Sequence, residues 1–380
     1  MTPSSDPPSR AAALIGKWRF ILPGHRDAVP EADPDLPCQP SEPGRWAAAW
    51  VPDAYLDGYE NLTFHMPGYP HLPEEGDGYL TATLVRRRLP PSRPYAVLYL
   101  HGWNDYFFQD HLAEAWSALG YDFYALDLHR YGRSLHGDEL PGYAESMSDY
   151  DVEIDAAVDW LRGRHAHVVL NGHSTGGLIA ALWAASRPGR LAGLVLNSPW
   201  LDLMGSALTR TLMPPLAKGL SATAPTWELP KMENDIYLRS LHRAFDGEWS
   251  FDLALKRPAS SPIRPGWLSA VVRAQDRVSR GLDIDVPILM ATSARSAVPK
   301  QRDDEEAARA DIVLDVDRLA ARAPKLGWHV TLVRLEGALH DVALSAPPVR
   351  ERYFDETRRW DLAYVKGRKS QDQELARLAG

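Results

Sequence analysis

The pentapeptide Gly172-His173-Ser174-Thr175-Gly176 follows the apolar run His167 to Leu170 and precedes the helix-like stretch Leu178 to Ala185, so it reads as a strand turning sharply into a helix. Such a turn forces its central residue into a strained backbone conformation. Glycine is needed two positions to either side, because strand and helix approach too closely there for a side chain. Ser174 is thereby presented at a sheet edge and at a helix N-terminus, where the N–H of Thr175 and the helix dipole can stabilise a negatively charged oxygen. Gly172 and Gly176 are the supporting residues of this turn.

The surrounding chain keeps the same rhythm. Tyr95 to Leu100 is wholly apolar, as a strand buried on both faces requires, and His111 to Leu119 follows with helical spacing. Tyr121 to Leu126, Asp151 to Leu161 and Leu191 to Leu196 continue the alternation of strand, helix and strand. Repeated βα units predict an α/β fold: a mostly parallel central sheet flanked by helices on both faces. Two earlier β-like runs, Tyr59 to His65 and Tyr79 to Arg86, suit an antiparallel pair at the sheet edge. The rhythm breaks between Pro199 and Asp285, resumes at Ile288 to Thr292 and His329 to Leu335, and ends in the helix-like Val349 to Val365. Residues 199–285 therefore read as an inserted helical cap on a core of residues 76–198 and 286–380. The stripe Leu208, Leu212, Leu216 and Leu220 is assigned to packing within the cap, with peripheral membrane attachment as the alternative. The first 75 residues hold 13 of the 31 prolines and read as an extended N-terminal arm packed on the core.

A serine hydroxyl attacks only when a base takes its proton, and imidazole titrates near neutral pH. His340, in Gly337-Ala338-Leu339-His340-Asp341, lies just beyond the last β-like run, on a loop that should hang over the carboxyl edge of the sheet. An acid must orient that imidazole. Asp303, Asp304, Asp311, Asp315 and Asp317 all follow Ile288 to Thr292. Asp311 is favoured because Ala310 to Asp315 leads into an amphipathic stretch, while Asp202, Asp303 and Asp304 stay open as alternatives. A second oxyanion donor should come from the loop His101-Gly102-Trp103-Asn104-Asp105, with the Trp103 N–H as donor and Gly102 allowing close approach. His101 and His173 read as structural hydrogen-bonding residues. His129 and His136, with Asp138 and Glu139, have no ligand-pair spacing, so no metal site is expected.

Composition narrows the partners. A net charge of −8 and a pI near 5.9 argue against a nucleic-acid backbone as ligand. The single cysteine, Cys38, allows neither an intrachain disulfide nor a cysteine zinc site. The polar, proline-rich Met1 to Arg10 has no apolar signal core and no apolar run is long enough for a transmembrane segment, which makes a cytoplasmic location the expectation.

With these residues in hand, the chain resembles the α/β-hydrolase superfamily, in its monoacylglycerol lipase, lysophospholipase and serine aminopeptidase-like branch. The carriers are His101-Gly102-Trp103, Asp127 to Ser134, Gly172 to Gly177, Leu191 to Pro199 and Gly337 to Asp341. The resemblance covers Tyr95 to Leu201 and Val286 to Leu344. It implies Ser174 as nucleophile, His340 as base, Asp311 as acid in its Ala-Asp-x-Val-x-Asp setting, and the amides of Trp103 and Thr175 as the oxyanion hole. It also implies a serine esterase without a cofactor, and the many apolar and aromatic side chains of the cap point to a small-molecule, lipid-like ester with an apolar acyl group. Two rivals remain. An amidase or aminopeptidase would need an acid near the pocket, such as Glu228 or Glu233, and a non-catalytic homologue would bind ligand without turnover.

Overall fold

The computed structural model describes residues 46–88, 93–205, 207–230, 235–299 and 305–367, all within one unit, Ala32–Gly380. Residues 1–45, with Cys38, lie outside the described residues, as do Glu233, Asp303 and Asp304.

Strands β1 (Val51–Pro52), β2 (Tyr59–Pro70) and β3 (Tyr79–Arg87) pair antiparallel, and β3 joins β5 (Tyr121–Asp127) in the same sense. Strands β4 (Tyr95–Leu100), β5, β6 (His167–His173), β7 (Gly193–Asn197), β8 (Ile288–Ser293) and β9 (Val330–Leu335) are parallel. Together they make one sheet in the order β1-β2-β3-β5-β4-β6-β7-β8-β9. The expected edge pair is present, with Glu60 opposite Arg86 and Thr63 opposite Thr83. Strand β2 runs on to Pro70, so part of the stretch read as an arm is sheet.

Helices α1 (Asp110–Ala118), α2 (Asp151–Arg162), α3 (Ser174–Ser186), α4 (Ala207–Thr223), α5 (Ile236–Leu241), α6 (Pro265–Arg280), α7 (Val316–Arg322) and α8 (Pro347–Trp360) follow in chain order. Side chains alternate across a strand, and the sheet uses both faces. Ala96, Leu98 and Leu100 of β4 join a core shared with α2, α3 and α6, whereas Val97 and Tyr99 join one shared with α1 and α8. Val97 opposite Val169, and Val195 opposite Leu289, lie on the same face of four neighbouring strands at 0% exposure, each worth about 1.5–3 kcal/mol relative to an exposed side chain.

Strands β5 and β6 lie on opposite sides of β4, and α1 and α3, which follow β4 and β6, cover opposite faces. Where connections diverge in this way, a crevice opens at the carboxyl ends of the strands. Ser174 follows directly from β6 at that point.

The segment assigned to the insertion divides in two. Trp267, Val271, Ala274 and Val278 of α6 are buried in the same core as α3 and the sheet, so α6 flanks the sheet. Leu238, Leu241 and Phe251 instead cluster with Tyr106 and Phe108, after β4, and with Leu339 and Leu344, after β9. The assignment of the leucine stripe to packing is corrected for Leu208, Leu212 and Leu216, while Leu220 is half-buried. Leu208, Leu212 and Leu216 are 68%, 55% and 55% exposed. Helix α4 packs on α6, and Ala217, which is buried, lies on another side of the helix from Leu208, Leu212 and Leu216. Among the described residues no helix is long and apolar enough to cross a membrane.

Candidate active site

Ser174 opens α3 with φ at +52°, in the left-handed region that costs a non-glycine residue roughly 1–2 kcal/mol. Close packing enforces the turn. A Cβ on Gly172 would stand 2.6 Å from the carbonyl oxygen of Gly176, and one on Gly176 would collide with the carbonyl oxygen of His101. The Ser174 carbonyl oxygen accepts the Trp200 N–H at 3.0 Å, which ties the elbow to the loop after β7.

His340 lies between Ser174 and Asp311. Its Nε2 is 2.9 Å from Ser174 Oγ and its Nδ1 is 2.9 Å from Asp311 Oδ2. A carboxylate can only accept, so Nδ1–H donates to Asp311 and Nε2 is left to accept from the serine hydroxyl. All three side chains are buried, with Ser174 at 8% exposure and Asp311 at 0%. Asp311 Oδ1 accepts the N–H groups of Val313 and Leu314 at 2.8 Å each, which fixes the carboxylate and leaves Oδ2 for the histidine.

Seventeen residues, 294–310, separate β8 from Asp311, yet the acid returns to the strand end. Asp311 bridges Ser296 in parallel, with Asp311 N–H donating to Arg295 and Ala297 N–H donating to Asp311. The excursion closes on itself and leaves the carboxylate beside His340. Asp202, the other described candidate, pairs instead with Arg322 at 3.1 Å and Arg318 at 3.8 Å.

The loop after β4 presses on the serine. A Cβ on Gly102 would lie 3.1 Å from Ser174 Cβ. Trp103 follows, its indole N–H donating to Ser260 Oγ at 3.2 Å and its ring 3.9 Å from that of Trp267. Thr175 is the second residue of α3, in the first turn, where N–H groups have no intrahelical acceptor. His101 Nε2 accepts the Leu128 N–H at 3.1 Å, which makes its role structural. His129 meets Glu153 and His136 meets Thr81, so those two histidines do not converge.

Of the residues around the site, Tyr237 carries no sequence signal of its own. Tyr237, from α5, accepts the Asp341 N–H on its hydroxyl at 2.9 Å and meets the His340 ring edge to face, with ring centroids 5.6 Å apart. Asp341 accepts from Asn197 Nδ2 at 2.7 Å and from the Ala343 N–H at 3.0 Å. Burial pushes the Asp341 carboxyl up, but the charges of His173 and Lys256 and these hydrogen bonds outweigh it and hold the carboxyl below its ordinary range. His173, whose ring is 4.9 Å from that of His340, is pushed down by burial and hydrogen-bonds the Asn197 carbonyl. Asn104, at φ +52°, donates to the Arg257 carbonyl and accepts from Ser261 Oγ, so the loop after β4 is stitched to the insertion.

Residues 92–344 match the family model described as serine aminopeptidase, S33. The chain is 34% identical over 138 residues to phospholipase YtpA of Bacillus subtilis (strain 168), an overlap covering 36% of this chain and 51% of that protein. It is 30% identical over 178 residues to Homo sapiens monoglyceride lipase, covering 45% and 55%. The chain thus spans about half the length of the curated relatives it matches. Among solved structures, Paleococcus ferrophilus monoacylglycerol lipase aligns with a TM-score of 0.55 at 22% identity, over 71% of this chain and 94% of that one. A soluble variant of Saccharomyces cerevisiae monoglyceride lipase aligns with a TM-score of 0.56 at 14% identity, over 77% and 95%. These structures share the fold, a mostly parallel sheet flanked by helices. The chain belongs to the serine aminopeptidase S33 family of α/β hydrolases, in the branch that resembles monoacylglycerol lipases and lysophospholipases.

Proposed function

We propose that this chain is a serine hydrolase that cleaves carboxylic esters with an apolar acyl group through an acyl-enzyme on Ser174. The observation that carries the reading is one imidazole within 2.9 Å of both a strained serine hydroxyl and a buried carboxylate. Ser174 Oγ adds to the ester carbonyl while its proton passes to His340 Nε2. Asp311 stabilises the imidazolium, and the amides of Thr175 and Trp103 receive the oxyanion. The C–O bond to the alcohol breaks, His340 protonates the departing oxygen, and the acyl group stays on Ser174. Water then gives a proton to His340, attacks the acyl carbon and releases the acid and the serine hydroxyl. Every step uses groups of the chain itself.

Relatives named as a phospholipase and a monoglyceride lipase support a lipid-like substrate. The exposed leucines of α4 support it too, since a row of apolar side chains suits contact with lipid aggregates. Residues 199–264 act as the cap in this reading, over a core that includes α6. Hydrolysis of p-nitrophenyl esters from acetate to palmitate, with Ser174→Ala and His340→Ala as controls, tests the proposal. A wild-type chain that neither turns over any ester nor reacts at Ser174 with a fluorophosphonate would overturn it.

A further inference from the structure

The insertion brings a buried cation to the oxyanion loop. Lys256 Nζ lies 2.7 Å from Asp105 Oδ1, with side chains 7% and 2% exposed. Asp105 also accepts the Tyr106 N–H at 3.0 Å. The Lys256 ammonium stands 5.4 Å and 5.6 Å from the ring centroids of Phe108 and Phe251. Asp105 comes two residues after Trp103, and Asn104 between them is hydrogen-bonded to the Arg257 carbonyl. The pair also belongs to the surroundings of His340: the Lys256 charge acts on Asp341, whose N–H is held by Tyr237.

Stability alone does not explain such a pair, because apolar side chains of similar volume commonly replace a buried ion pair at no loss. Its chemistry points elsewhere. A buried carboxylate beside a hydrolytic centre can receive a substrate ammonium, and an aminopeptidase needs such a group. Glu228 does not supply it, because Arg264 pairs with it at 3.0 Å. Asp105, on the loop that carries Trp103, is a further buried carboxylate near the site, and the chain has paired it with its own lysine. We infer that Lys256 is a specificity-determining residue: its ammonium occupies an acidic subsite built on Asp105 and bars substrates that carry an ammonium group there, leaving uncharged esters. The inference rests on the reading of Ser174 as the centre of acyl transfer.

Two measurements test it. Truncation in Lys256→Ala removes the equivalent of propylammonium, so n-propylammonium chloride should raise the melting temperature of Lys256→Ala and leave wild type and Lys256→Ala/Asp105→Asn unmoved, with sodium chloride at equal strength as control. In parallel, hydrolysis of a choline ester is compared with that of the uncharged 3,3-dimethylbutyl ester of the same acid. The ratio of the two kcat/KM values should rise at least about tenfold in Lys256→Ala and fall back in the double variant. Should Lys256→Ala not fold, Lys256→Met carries the ester comparison. An unchanged ratio together with no propylammonium-specific shift overturns the inference while fluorophosphonate labelling of Ser174 keeps the hydrolase reading intact. No labelling of wild type defeats that reading instead, and the propylammonium shift then still decides whether Asp105 receives an ammonium.

Discussion

Ser174 Oγ and His340 Nε2 stand 2.9 Å apart, although 166 positions separate the two residues in the chain. A hydroxyl whose base is this close is activated only while both are present. Ser174→Ala and His340→Ala should each lower kcat for ester hydrolysis by about 10⁴–10⁶-fold without shifting the melting temperature by more than a few degrees. Asp311→Asn should cost roughly 10⁴-fold. Asp202→Asn should stay within about threefold of wild type, since its carboxylate serves Arg318 and Arg322. Steady-state kinetics on one p-nitrophenyl ester decide the matter, and an Asp202 variant as crippled as Asp311→Asn would reassign the acid.

Gly176 allows the elbow to press against the strand end of β4. A Cβ there would meet the carbonyl oxygens of His101 and Leu100, the latter at 2.7 Å, and backbone cannot rotate away as a side chain can. Gly176→Ala should destabilise the fold by about 1–3 kcal/mol and reduce turnover more than it weakens substrate binding. Urea unfolding paired with kcat and KM checks this, and wild-type values for both would refute it.

Tyr237 acts on the site through the backbone of Asp341. Tyr237→Phe keeps the ring and removes the acceptor, leaving the Asp341 N–H buried without a partner at about 1–3 kcal/mol. The loop bearing His340 should loosen, so kcat falls on the order of tenfold while KM changes little. A variant in which KM alone rises would instead mark Tyr237 as a substrate contact.

Glu75 and Arg130 form a two-pronged buried pair, with Nε and Nη2 each 2.6 Å from a carboxylate oxygen. Burial raises the Glu75 carboxyl, but Arg130 and the N–H groups of Leu140 and Leu72 outweigh it and leave the carboxyl below its ordinary value of 4.5. The folded state therefore holds the proton less tightly than the unfolded chain. The stabilisation is fully present above about pH 4.5 and is lost as pH falls through the lower folded value. Glu75→Gln should cost about 3–5 kcal/mol at pH 7 and progressively less below pH 4.5, measured by urea melts across that range. A constant difference would contradict this sign.

The leucines of α4 contribute little to folding because they are already in water. Changing Leu208, Leu212 and Leu216 together to glutamine should alter stability by less than about 0.5 kcal/mol per site. The same triple change should lower co-sedimentation with phosphatidylcholine vesicles. Wild-type protein that stays in the supernatant would remove α4 from any account of lipid contact.

The parts of the molecule with a strong period are legible in the sequence. Tyr95 to Leu100 marked β4 at both ends, and His167 to Leu170 with Gly172 to Gly176 located the strand, the turn and the start of α3. Ser174, His340 and Asp311 each follow a strand in the sequence, and in the structure the His340 ring lies 2.9 Å from each of the other two side chains. The insertion was less legible, for a physical reason. A helix such as α6 and a helix such as α4 carry similar numbers of apolar residues, and what differs is the surface each meets. Nothing in Leu208, Leu212 and Leu216 says they face water, and nothing in Val271, Ala274 and Val278 says they face the sheet. Tyr237 and Lys256 were silent because their partners, Asp341 and Asp105, are brought to them by other segments.

The order of the strands also governs when the site comes into being during synthesis. Ser174 is made directly after β6, whereas Asp311 and His340 arrive with the loops after β8 and β9, the last two strands of the described sheet. A ribosome therefore carries a chain with its serine already translated and no imidazole to share its proton. Under the proposed mechanism the Ser174 alcohol has no base until the segment carrying His340 has been added, and a chain that stops short of His340 holds the elbow without the imidazole.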